Sequence, residues 1–143
     1  MKLEVAICDD DSIIREELLK KISILRTDYH VETFRSGIDL LQSPLGYDLI
    51  FLDIEMPEVN GMQVASKLRE MQFDGYIIFL TSHTEYMPDA FKVKAFRFLK
   101  KPVNDDDFEE TIRESEKEIH VLRVLREERD WENILTRQRD YTY

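Results

Sequence analysis

The sequence holds a single cysteine, Cys8, so no internal disulfide can form and nothing argues for an exported, disulfide-stapled fold. Glycine and proline are scarce, four of each, and no internal repeat or low-complexity segment is present. No apolar run approaches the length needed to cross a bilayer, and Met1-Lys2-Leu3-Glu4 lacks a signal-peptide pattern. Positive charge is in deficit, with 20 Lys and Arg against 30 Asp and Glu, a net charge of −10. That balance works against direct binding to DNA, RNA or an anionic membrane. The expectation is a cytoplasmic protein whose partner is another protein or a small phosphorylated donor.

What is present fits one globular domain. At 143 residues, 43% hydrophobic and 35% charged, the chain can bury a proper core but is too short for two ordinary domains. Its centre is Asp48-Leu49-Ile50-Phe51-Leu52-Asp53-Ile54-Glu55-Met56-Pro57. Four apolar residues run straight into Asp53, and proline breaks the chain soon after. A run this short, apolar on both faces and bounded by turn signals, predicts a buried parallel strand. The carboxyl ends of such strands carry the ligand site in open parallel sheets, above all where strand order reverses. Taken alone, Asp53 is weak evidence, since an Asp ending a strand is more often a helix cap or turn former.

Similar runs recur along the chain. Leu3–Cys8 predicts the first strand, and Asp9-Asp10-Asp11-Ser12 offers caps for a helix burying Ile14, Leu18, Ile22 and Leu25. His30–Phe34 predicts a short alternating strand, and Ser36-Gly37 opens a brief helix toward Leu41. After the Asp48–Asp53 strand and the Asn60-Gly61 turn, a third helix points Val64, Ala65, Leu68 and Met71 inward. Gly75 leads to a fourth strand, Tyr76–Thr81, and a short helix is expected within Ser82–Lys94, with Pro88 in its first turn. Ala95–Lys100 predicts the fifth strand, and Asn104 caps a last helix bearing Phe108, Ile112, Ile119 and Leu122. This alternation gives a (βα)5, doubly wound, five-stranded parallel sheet of flavodoxin-like α/β class. Residues 1–122 form the domain. Beyond them Leu125, Trp131, Ile134 and Leu135 keep some helical spacing, so 123–143 read as an extension of the last helix or the start of a linker.

Strand ends supply matching chemistry: Asp9 and Asp10 after the first, Asp53 at the third, Thr81 at the fourth, Lys101 after the fifth. Carboxylates converging on one edge repel unless a cation sits among them, and hard oxygen donors suit Mg²⁺. Each residue has a plainer reading. The acidic run can serve a helix N-terminus, Lys101 can lie over apolar neighbours as Lys100 does, and Cys8 reads as a small buried thiol. Pro102 after Lys101 admits a cis bond that would aim the lysine.

Taken together, Asp9-Asp10, Asp53 with Met56-Pro57 and Gly61, Thr81-Ser82 and Phe98-Leu99-Lys100-Lys101-Pro102 resemble the receiver domain of bacterial two-component response regulators. The resemblance covers residues 3 to 120. Asp53–Pro57, Ile78–Ser82 and Ala90–Ala95 look most like receivers attached to LytTR-type DNA-binding domains. It implies that Asp53 is a nucleophile taking a phosphoryl group from a histidine kinase. It also implies that Asp9, Asp10, Asp53 and the Glu55 backbone carbonyl hold Mg²⁺ (or Mn²⁺), and that Lys101 neutralises phosphoryl charge. Thr81 and Phe98 would be the switch pair acting on the face formed by the fourth helix, fifth strand and last helix; Phe98 stands where the family often has tyrosine. A phosphorylation-dependent homodimer, and control of transcription through an output domain outside these residues, are further implications.

Other readings remain. A stand-alone receiver would act by protein contact alone. An aspartyl-phosphate phosphatase would place its nucleophile in a DxD motif after the first strand, and Asp53-Ile54-Glu55 has no second Asp. A flavodoxin-like cofactor binder would need a Ser/Thr/Gly-rich phosphate loop where Asp9-Asp10-Asp11 stands. A turnover enzyme acting on external substrates is not expected.

Overall fold

The apolar runs form strands β1 (Glu4–Cys8), β2 (His30–Phe34), β3 (Leu49–Asp53), β4 (Tyr76–Thr81) and β5 (Arg97–Lys100) in the computed structural model, which describes residues 1–43, 46–83, 85 and 87–140. All pair in parallel in the order β2-β1-β3-β4-β5. The chain runs outward from β1 to β2 and then returns to β3, so strand order reverses between β1 and β3. That is the switch point of a doubly wound sheet, where a crevice opens beyond the carboxyl ends.

Burial follows position in the sheet. Every residue of β3 is buried, and so is β4 apart from Tyr76. Leu49, Ile50, Phe51 and Leu52 have no exposed surface, and each contributes roughly 2 kcal/mol through burial. β2, at the edge, leaves His30, Glu32 and Thr33 in solvent. A strand covered on both faces must be apolar throughout, whereas an edge strand need not be.

Helix α1 (Ser12–Leu25) starts at Asp11, whose side chain accepts from the Ile13 N–H. It buries Leu18 and Ile22 and half-buries Ile14 and Leu25, the predicted stripe. α2 (Gly37–Gln42) is capped by Ser36, and α3 (Gly61–Glu70) by an Asn60–Gln63 capping box. Val64, Ala65 and Leu68 face the core as expected, but Met71 does not. It caps the end of α3 and is 40% exposed, because the chain leaves helical geometry there; Phe73 is buried instead.

The expected helix within 82–94 is one turn, α4 (Met87–Ala90), followed by a 3-10 turn at Phe91–Val93. β5 starts later than the apolar run does. Lys94 adopts φ 56°, and the Ala95 N–H still bonds the Ala90 carbonyl, so regular pairing begins at Arg97. α5 (Asp105–Asp140) is opened by Asn104, whose side chain accepts from the Asp106 and Asp107 N–H groups.

The chain divides into two compact units, Met1–Thr111 and Ile112–Tyr143. The first holds the sheet, α1 to α4 and the start of α5. The second continues α5, with Ile112 and Ile119 buried, Leu122 half-buried and Leu125 exposed. The side chains of Trp131, Ile134 and Leu135 lie outside the described residues, as do residues 141–143. No described helix is long and apolar enough to cross a membrane.

Candidate functional site

Parallel pairing sets the strand ends level. Cys8 pairs with Leu52, Leu52 with Phe79, and Phe79 with Phe98, so the residues that follow emerge together at one edge. Lys101 links two of them: its Nζ lies 2.9 Å from Asp9 Oδ2 and 3.1 Å from Asp53 Oδ1. Both carboxylates are closed to solvent, Asp9 at 0% and Asp53 at 1% exposure. Asp9 Oδ1 accepts from the Asp11 N–H at 2.9 Å, and the Arg15 guanidinium donates to the Asp9 carbonyl at 2.7 Å. The Glu55 N–H donates to Asp53 Oδ1 at 3.2 Å. Lys101 is followed by a cis peptide bond to Pro102.

This geometry shifts protons. Burial, reinforced by the charge of Asp9, pushes the Asp53 carboxyl up to about 7, although Lys101 pulls the other way. Burial by itself would lower the pKa of Lys101, but its bonds to Asp9 and Asp53 raise it overall. Cys8, inside the same edge, is pushed to about 12 by burial and by Asp53 and Asp9, so it is an inert core thiol as expected.

Asp9, Asp10 and Asp53 each offer an oxygen within 4.8 Å of the others, with Asp10 on the exposed side. Asp9 Oδ2 is the telling atom. It is sealed from solvent and, despite its 2.9 Å ion contact with Lys101, accepts no well-directed hydrogen bond. A buried carboxylate oxygen without a directed donor calls for a further partner, such as an ion. The donor set, all hard oxygens, fits a divalent ion of the Mg²⁺ type.

Gly61 makes the neighbouring loop possible. Its N–H bonds the Ile54 carbonyl at 2.8 Å, and a Cβ there would run into the Asp53 carbonyl oxygen and the Ile54 backbone. α3 can therefore start directly beneath the end of β3 only with glycine at that position.

Thr81 is buried, and its hydroxyl is bonded to the Glu55 carboxylate, Oγ to Oε1 2.9 Å. Phe98 is half-buried and packs on Phe79, with ring centroids 5.5 Å apart. The structure thus gathers Asp9, Asp10, Asp53 and Lys101 directly and sets Thr81 beside Glu55. Three contacts were not legible in sequence: the Glu55 carboxylate with Thr81, the same carboxylate with His83, and Arg15 with the Asp9 carbonyl. Glu55 and His83 meet across two loops, and Arg15 reaches back from α1, so no short-range pattern marks either contact.

Residues 5–113 match the response regulator receiver domain family. Among curated relatives, the positive alginate biosynthesis regulatory protein of Pseudomonas aeruginosa is 34% identical over 79% of this chain and 47% of its own length. The sensory transduction protein LytT of Bacillus subtilis is 32% identical over 80% of this chain and 48% of its own, in keeping with the resemblance to LytTR-type receivers. The chain spans about half the length of the curated relatives it matches. Among solved structures, the receiver domain of AraT from Geobacillus stearothermophilus shares the fold at a TM-score of 0.78 and 24% identity, over 86% of this chain and 99% of that one. The chain belongs to the receiver domain family of two-component response regulators.

Proposed function

We propose that Asp53 is the phosphoacceptor of this receiver, taking a phosphoryl group from the phosphohistidine of a sensor histidine kinase. The carrying observation is the Lys101 ammonium shared between Asp9 Oδ2 and Asp53 Oδ1 at the switch point of the sheet. Lys101 and the Glu55 N–H both hold Oδ1, which fixes the rotation of the carboxylate and leaves Oδ2 to attack. The P–N bond to the kinase imidazole breaks as the P–O bond to Asp53 forms, and the imidazole leaves. Asp9, Asp10, Asp53 and the Glu55 backbone carbonyl would hold Mg²⁺ or Mn²⁺. Its charge would favour ionised carboxylates and offset charge on the phosphoryl oxygens. Lys101 supplies a compact positive charge to the same oxygens.

Thr81 then reports the new group by turning its hydroxyl toward it, and Phe98 follows, changing the face formed by α4, β5 and α5. Residues 1–122 form the receiver, and 123–143 lead toward an output domain in a longer protein, through which transcription is controlled. The length of the relatives supports this over a receiver acting alone by protein contact. Homodimerisation on phosphorylation accompanies the switch, in the cytoplasm, without catalytic turnover of external substrates. The test is intact-protein mass after incubation with Mg²⁺ and acetyl phosphate. Wild type gains one phosphoryl group and Asp53→Asn gains none; equal gain by both would remove Asp53 from the role.

A further inference from the structure

The single hydroxyl proton of Thr81 already has an acceptor. Oγ lies 2.9 Å from Glu55 Oε1 and 3.2 Å from the His83 carbonyl, while accepting from the His83 N–H at 2.9 Å. A hydroxyl donates once, and the carboxylate is both nearer and charged, hence the stronger acceptor. Glu55 is itself propped. Its Oε2 lies 3.2 Å from His83 Nε2, and His83 Nδ1 lies 3.0 Å from Glu85 Oε1. A chain of side chains therefore joins the loop after β3 to the loop after β4, with Thr81 at its inner end.

We propose that Glu55, held by His83, is a latch that occupies the Thr81 hydroxyl before phosphorylation and sets how readily this receiver switches. The inference rests on Thr81 being the group that senses the phosphoryl, as proposed above. A phosphoryl group on Asp53 brings negative charge and strong acceptors to the same strand edge. It repels the Glu55 carboxylate and competes for the one proton of Thr81. Exposure decides which partner yields. Thr81 is 1% exposed, whereas the Glu55 side chain is 37% exposed and can swing into water with its charge solvated. Switching exchanges one charged acceptor for another, so its free energy is a difference that Glu55 makes smaller.

The test uses beryllofluoride with Mg²⁺, a phosphoryl mimic that forms on the carboxylate, with affinity read by fluorine NMR. Glu55→Ala frees the Thr81 proton and binds about fivefold tighter than wild type, the size expected for one partly exposed charged hydrogen bond. Glu55→Gln, a weaker acceptor, falls between the two, and His83→Ala shifts affinity in the same direction by less. The decisive arm is Thr81→Val: in that background Glu55→Ala gives a clearly smaller gain, since only the charge repulsion remains to be relieved. An equal gain with and without the Thr81 hydroxyl would make Glu55 a simple repelling charge and overturn the latch. Unchanged affinity in Glu55→Ala would overturn it too. Failure of the wild type to bind beryllofluoride is a separate result, which removes the Asp53 reading and the latch with it.

Discussion

Two half-buried cations sit at opposite ends of the sheet, and their surroundings send them in opposite directions. Lys101, at the carboxyl edge, faces the carboxylates of Asp9 and Asp53. Arg69, in the last turn of α3, donates to four main-chain carbonyls: Nε to Val93 at 2.8 Å, Nη1 to Phe73 and Gly75 at 2.9 Å each, and Nη2 to Lys94 at 3.0 Å. Its guanidinium also lies over the Phe73 ring. Burial lowers both pKa values, but the charges facing Lys101 more than reverse the effect, whereas Asp74 only partly offsets it for Arg69. A cation held by neutral carbonyls is a fixed brace, since its partners cannot change charge. A cation held by carboxylates responds whenever one of them gains a proton, a metal or a phosphoryl group. The planar fork of arginine suits the first task and the point charge of lysine the second.

That contrast is broken most severely at the brace. Arg69→Ala leaves four carbonyls, two in the turn before β4 and two in the turn before β5, without this donor. The loss of stability should be about 3 kcal/mol, and equal at pH 6 and pH 8 by chemical denaturation. A marked pH dependence would mean that Arg69 is tied to a titrating group.

Asp53→Asn acts in the opposite sense. The folded-state pKa of Asp53 is raised to about 7, while the unfolded chain ionises near 4. Between these values the native state holds the extra proton, so metal-free stability falls as pH rises through the window. Removing the charge should stabilise the metal-free protein by about 2 kcal/mol at pH 8. The gain should fade toward pH 4 and shrink when Mg²⁺ is added at pH 8. A constant gain across pH would show that Asp53 ionises normally.

Lys101→Met should also lower stability at pH 8 in the absence of metal, because it leaves the closed Asp9 and Asp53 carboxylates without their shared cation. The loss should be less at pH 5, where Asp53 is largely protonated. The smallest effect belongs to Cys8. Its thiol, pushed to about 12 and closed to solvent, should take up no iodoacetamide at pH 8 until the protein is unfolded. Intact mass after exposure to the reagent measures this.

Much of this arrangement was legible in the sequence because the sheet is parallel. β3 and β4 are buried on both faces, so they appear as unbroken apolar runs, and each hands its next polar residue to the same edge. Asp9, Asp53, Thr81 and Lys101 could therefore be grouped before any distance was known. Periodicity points Met71 inward but does not mark where a helix stops, and the backbone leaves the helix there. The apolar run puts the start of β5 at Ala95, two residues before regular pairing begins, because Ala95 is apolar but bonds back to Ala90. The ties from Glu55 to Thr81 and His83, and those from Arg69 to its carbonyls, join segments 24 or more residues apart except at Phe73 and Gly75. Long-range polar pairing of that kind leaves no local pattern to read.

The central claim is that one carboxylate of this edge receives the phosphoryl group, and mapping the modified residue tests it directly. Protein treated with acetyl phosphate and Mg²⁺ is reduced with borohydride, which converts an aspartyl phosphate to homoserine, and its peptides are then sequenced by mass spectrometry. Homoserine at position 53 alone is the predicted result. Homoserine at Asp9 or Asp10, or at several acidic residues alike, would contradict the account.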